Sequence, residues 1–212
     1  MLLGGISLLL GTCKAGAMSP EDALQALIAG NQRYMRDQLL NADNNSMRRA
    51  CLFSKQQPFA IVLGCSDSRV APEIIFDQTI GDLFVVRVAG NVVGPIELDS
   101  IEYSALYLDS RLLVVLGHEN CGAVKAVLEG KTQDIEAIAS KIGPAIQNIN
   151  PSQKDAVQKA VLANVHQVVT QLTNAPVLAD LIKKGQLRIV GGYYDLLTGQ
   201  VSLVEGAEKL KK

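Results

Sequence analysis

Phe59-Ala60-Ile61-Val62-Leu63-Gly64 runs directly into Cys65-Ser66-Asp67-Ser68-Arg69, and the pattern returns where Leu112-Leu113-Val114-Val115-Leu116-Gly117 meets His118-Glu119-Asn120-Cys121. Apolar runs of this length, closed by glycine and separated by helical patterns, read as strands buried on both faces of a parallel sheet. Each delivers a polar cluster at its carboxyl end, where open α/β sheets place their ligands. Two thiols and an imidazole at neighbouring strand ends form a soft donor set with one position left over, which suits zinc. That position falls to Asp67 or to water. The first gives a closed site and the second a catalytic one.

Working outward, Leu83-Phe84-Val85-Val86-Arg87-Val88 and Leu187-Arg188-Ile189-Val190-Gly191-Gly192 supply two further strands. Tyr193-Tyr194-Asp195 and Val201-Ser202-Leu203-Val204, joined by Leu197-Thr198-Gly199-Gln200, read as a closing hairpin at an edge. Helical patterns fill the intervals: Pro95 to Asp109, Cys121 to Glu129, and a long stretch from Ser152 to Lys184. The predicted fold class is therefore α/β, a mainly parallel central sheet with helices on both faces. Ahead of the first strand, Ser19-Pro20-Glu21-Asp22 offers an N-cap, a proline at the first helical position and acids in the first turn. The amphipathic helix that follows is expected to pack on a partner subunit, with the chain's own sheet as the other choice. Asn41 to Arg49, polar and rich in Asn, reads as the loop after it.

With 212 residues, 48% of them hydrophobic, the chain suffices for one sizeable core and predicts one catalytic domain, residues 18–212. A formal charge of -1 leaves no basic surface to hold nucleic acid by counterion release. Four cysteines in a chain this rich in aliphatics point to metal or redox chemistry rather than disulfide stapling. Residues 1–17 read as a signal peptide: an apolar run from Leu2 to Leu10, then Ala15-Gly16-Ala17 as a small-residue cleavage site, with no Lys or Arg ahead of the run. The run is too short to span a membrane. It predicts a periplasmic or secreted protein, the alternative being a cytoplasmic protein that keeps a hydrophobic leader. Cleavage after Ala17 would leave a native chain that begins at Met18 and lacks Cys13. An intact leader in the mass of the soluble native protein would overturn export.

Cys121 opens a helical segment, and the positive end of that helix favours a thiolate ready for metal. Asp67 and Arg69, two residues apart, can face each other as a charge-assisted pair that holds Asp67 off the metal. Zinc with three protein ligands then keeps a water acidic enough to offer hydroxide at neutral pH. Two remaining residues read as packing: His166 as a surface residue of the long helical stretch, and Cys51 as a half-buried small apolar side chain.

Four stretches in order, CSDSRVAPE, FDQTIGDLFVVRVAGN, SIEYSALYL and LGHENCGAV, resemble the β-class carbonic anhydrases, and the likeness extends from the first helix to GGYYDLLTG. The resemblance implies one zinc per subunit on Cys65, His118 and Cys121, with Asp67 and Arg69 as the catalytic dyad at the fourth position. It also implies that Gln56 hydrogen-bonds substrate, that Phe84, Tyr103 and Gly122 line the pocket, and that the pocket forms partly across a homodimer or homotetramer interface. Val70 joins Phe84 and Tyr103 in an apolar patch that suits carbon dioxide. The subtype implied is the open one: the switchable subtype carries Trp three residues before the first zinc Cys, where this chain has Val62 and no Trp anywhere. The expected reaction is reversible hydration of carbon dioxide to bicarbonate and a proton. The alternatives are hydrolysis of carbon disulfide or carbonyl sulfide by the same attack, and a non-catalytic zinc-stabilised binding or redox module with Asp67 closing the site.

Overall fold

Every residue of Ala60–Gly64 and of Leu112–His118 is buried, as strands covered on both faces must be. In the computed structural model, which describes residues 18–40 and 46–204, these runs are β1 and β3. With β2 (Leu83–Arg87), β4 (Arg188–Tyr194) and β5 (Val201–Leu203) they form one five-stranded sheet among the described residues, in the order β2-β1-β3-β4-β5. All pairings are parallel except β4 with β5. The leader, residues 1–17, lies outside the described residues.

The period of two along each strand divides the core. Ile61, Leu63, Leu113 and Val115 face one side, beneath α4 (Pro95–Tyr107), α7 (Ala156–Thr173) and α8 (Pro176–Lys183). Ala60, Val62, Leu112, Val114 and Leu116 face the other, beneath α1 (Pro20–Met35) and the short α3 (Pro72–Ile75). Register then sets the site. Gly64 pairs with Leu116, so Cys65 leaves β1 level with Gly117 and one step from His118.

Several expectations shift. The apolar face of α1 packs on the chain's own sheet: Ala23, Leu24 and Leu27 are buried in the same cluster as Val62 and Leu112. Gly30 lies so near α3 that a Cβ there would stand 1.8 Å from the Phe76 carbonyl oxygen. Beside it the Asn31 amide donates to the Ile75 and Gly199 carbonyls at 3.1 and 2.8 Å, and its oxygen accepts from the Val201 N–H at 2.9 Å. The predicted loop over Asn41 to Arg49 becomes helix from its sixth residue, since α2 spans Ser46–Leu52. The long helical stretch is two helices, because Pro176 cannot continue the ladder and opens α8 instead. Tyr193 and Tyr194 continue β4 and pair antiparallel with Ser202 and Val201, so the closing hairpin is β4 with β5. Two helices complete the layer at the carboxyl end, α5 (Gly122–Leu128) and α6 (Glu136–Ile146), the latter unforeseen. Among the described residues no helix is long and apolar enough to cross a membrane.

Candidate metal centre

Cys65, His118 and Cys121 are all buried, and their ligand atoms lie within 4.8 Å of one another. The strand ends supply the first two. The third is the residue that caps the start of α5, three positions after His118. The two sulfurs stand 4.0 Å apart, close to the ~3.8 Å that tetrahedral zinc–sulfur bonds of ~2.3 Å require. His118 Nδ1 lies 2.8 Å from the Glu119 carbonyl oxygen, so that nitrogen carries the proton and donates. Nε2 is left with its lone pair, buried and without a hydrogen-bond partner among the described residues. These donors fit a metal ion: two sulfurs and a correctly tautomerised imidazole, the ring held from behind by a backbone carbonyl.

Without a metal the thiols share their charge unevenly. The neighbouring Cys121 thiol pulls Cys65 down to about 4, helped by His118 and the Gly90 N–H against the cost of burial. Cys121 is pushed up by Cys65 and by burial, and the N–H groups of Ala123 and Val124 only partly offset this. The short sulfur–sulfur contact thus lets one thiolate form readily in the pair and opposes the second.

Asp67 and Arg69 form the expected pair. Oδ1 accepts from the Arg69 backbone N–H and from Nε, both at 2.9 Å, and Oδ2 accepts from Nη2 at 2.6 Å. The guanidinium holds the Asp67 carboxyl far below the usual carboxylate range, against partial desolvation. Oδ2 also lies 3.9 Å from His118 Nε2, so the carboxylate borders the open side of the cluster. Arg87, at the end of edge strand β2, donates to the Cys65 and Asp67 carbonyls at 2.9 and 2.6 Å and braces the loop that carries both.

The residues assigned to substrate do not all gather here. Gly122 does: it follows Cys121, and a Cβ on it would meet nothing within 4 Å. Val70 is fully buried in the core beneath α1 with Val62 and Ile75, a packing position directly after Arg69. Phe84 and Tyr103 pack against each other, ring centroids 6.4 Å apart. Tyr103 and Gln56 line an open cleft of about 620 Å³ beside Phe53 and Tyr107. That cleft lies where β1 and β3 begin, the length of a five-residue strand from the thiols, roughly 15 Å at ~3.3 Å per residue. One copy of the chain therefore carries two separate groups. His166 is half-buried along a polar cleft with Tyr193 and Asp195, and Cys51 is exposed on α2 rather than half-buried. The roles of Arg87 and Gly90 in VVRVAGN are not legible in the sequence, because backbone-directed contacts leave no mark in residue type.

Residues 60–201 match the family model described as carbonic anhydrase. The carbonic anhydrase of Mycolicibacterium smegmatis is 40% identical over 192 residues, covering 87% of this chain and 93% of that one. Carbonic anhydrase 2 of Mycobacterium tuberculosis is 36% identical with the same coverage of both, 87% and 93%. Among solved structures, the Coccomyxa β-carbonic anhydrase in complex with acetazolamide superposes with a TM-score of 0.69 at 28% identity, over 85% of this chain and 86% of that one. The β-carbonic anhydrase CcaA gives 0.69 at 27%, over 86% and 95%. Together with strand ends that bring two thiols and an imidazole to one buried point, these likenesses make the chain a member of the carbonic anhydrase family, and of its β class.

Proposed function

We propose that the chain holds one zinc ion per subunit through Cys65, His118 and Cys121 and catalyses the reversible hydration of carbon dioxide to bicarbonate and a proton. The observation that carries this reading is His118 Nε2, a buried nitrogen without a hydrogen-bond partner in a cluster with two sulfurs. An orphaned buried polar atom costs about 1–3 kcal/mol, and a metal bond removes that cost. When bound, zinc acts as a Lewis acid that makes hydroxide available near neutral pH, the chemistry established for carbonic anhydrases in general.

The chain's own residues do the positioning. Asp67, kept ionised by Arg69, accepts hydrogen bonds and does not donate them. It orients an O–H donor at the open side of the cluster, and the released proton leaves to solvent. A closed site with Asp67 as fourth ligand would require it to give up its Arg69 bonds, which supports the open reading. Gln56, Phe84 and Tyr103, gathered away from their own cluster, serve the site of a second copy in a homodimer or homotetramer. Phe53 and Tyr107 beside them are 94% and 74% exposed, an aromatic patch that suits a covered interface.

Stopped-flow hydration of carbon dioxide on sized, zinc-quantified protein tests the proposal. Turnover should rise in proportion to zinc content. Stoichiometric zinc with no turnover would favour the closed binding module instead.

A further inference from the structure

We infer that Asn164 is a positioning residue for the metal site, acting through the backbone of Gly90 on the sulfur of Cys65. Asn164 sits in the middle of α7 on a face otherwise made of Ala160, Val161, Val165 and Val168, and it is completely buried. A polar side chain among valines needs a reason. Its Nδ2 donates to the Gly90 carbonyl at 2.8 Å, while its Oδ1 has no hydrogen-bond partner, a loss worth about 1–3 kcal/mol that an apolar residue would not incur. Across the Gly90 Cα, the preceding peptide unit reaches the cluster: the Gly90 N–H donates to Cys65 Sγ at 3.3 Å.

The turn that makes this contact has one backbone bond of its own, from the Asn91 N–H to the Val88 carbonyl at 2.9 Å, and two residues in an unfavourable conformation. Gly90 has φ 73° and the next residue, Asn91, φ 44°, two successive left-handed residues of which one has a side chain. A Cβ on Gly90 would stand 2.8 Å from Ile142 Cδ1, so the backbone approaches closely here. The helix that anchors the turn is itself fixed beside the imidazole. A Cβ on Gly117 would stand 2.6 Å from Val165, the residue after Asn164, and 2.9 Å from Val161, one turn before it. One helix thereby sets the distance between the strand that ends in His118 and the peptide that faces Cys65. An N–H aimed at a ligand sulfur disperses its charge, and outer contacts of this kind are typically worth 10- to 100-fold in metal affinity.

This inference rests on the zinc reading above, and the experiment separates the two. Zinc affinity is measured by competition with a chromogenic chelator for the wild type, Asn164→Leu and Asn164→Ala. The cobalt-substituted forms report the sulfur directly through the thiolate-to-metal charge-transfer band. Both variants are expected to bind zinc about 10-fold or more weakly, with the band moved to lower energy as the sulfur loses its donor. Thermal unfolding of the metal-free proteins provides the contrast: it reads what the unpaired Gly90 carbonyl costs the fold apart from what it costs the metal. Wild-type affinity and an unmoved band in the variants, with changes confined to the unfolding temperature, would reduce Asn164 to a packing residue and overturn the inference. Asn164→Ala adds no bulk and supplies the same readouts if the leucine variant does not fold. A wild type that binds no zinc would sink the zinc reading, and this inference with it.

Discussion

Alanine at Cys65, His118 or Cys121 is expected to remove zinc and bring carbon dioxide hydration to the uncatalysed background while the fold stands. Each ligand is a third of the donor set, and two protein donors hold zinc poorly. Lewis-acid chemistry is worth several kcal/mol at the transition state, so the loss should be about 10³-fold or more at 1.36 kcal/mol per decade. The fold should persist because the two large clusters on either face of the sheet include none of the three ligands; both cysteines belong to a smaller cluster with Val124 and Ile142. The histidine variant differs in what it leaves behind. Two sulfurs 4.0 Å apart keep some affinity for soft metals that neither cysteine variant retains. Metal analysis and turnover on the same samples, with circular dichroism as the fold control, check all three. A variant that kept both zinc and activity would remove that residue from the site.

What the sequence made legible follows from where side-chain chemistry is concentrated. The runs ending at Gly64 and Gly117 announce buried parallel strands because both faces must be apolar, and the ligands follow at once because strand ends are where loops carry function. Helix α6 escaped because Gly143 and Pro144 lie inside it and blur the pattern. The division of Gln56, Phe84 and Tyr103 from the thiols escaped for another reason. Sequence order places Gln56 nine positions before Cys65, but β1 lies between them and carries the two to opposite ends of the sheet. The direction of α1 was open in the sequence, since an amphipathic stripe names no partner. Gly30 and Asn31 decide it, one by permitting close approach to Phe76 and the other by binding three backbone groups across the chain. Contacts made by backbone atoms, at Arg87 and Gly90 as at Asn31, are the part of the site that residue type does not spell.

Asp67→Ala should separate metal binding from turnover, retaining zinc within a few-fold of wild type while losing about 10²-fold or more in rate, the range typical of a positioned acid–base group. The expectation comes from where the carboxylate is spent. Three bonds run from Arg69 to its two oxygens, one of them at 2.6 Å, and on the proposed reading these leave it to orientation rather than to the ligand set. The pH profile gives the sign. Because Arg69 holds the Asp67 carboxyl below its usual range, the carboxylate is present throughout neutral pH and is lost only as pH falls through that depressed value in strong acid. No limb of the activity profile near an ordinary carboxylate pKa should therefore belong to Asp67. Arg69→Gln removes the main cause of the depression, moves the protonation of Asp67 upward and makes an acid limb visible. It also frees both oxygens, and the open side of the cluster, 3.9 Å from Oδ2 at His118, is where a released carboxylate can turn. In that variant the cobalt spectrum should show the carboxylate joining the metal, with activity falling below that of the wild type. Loss of zinc from Asp67→Ala as complete as from a cysteine variant would instead identify Asp67 as a fourth ligand of a closed site.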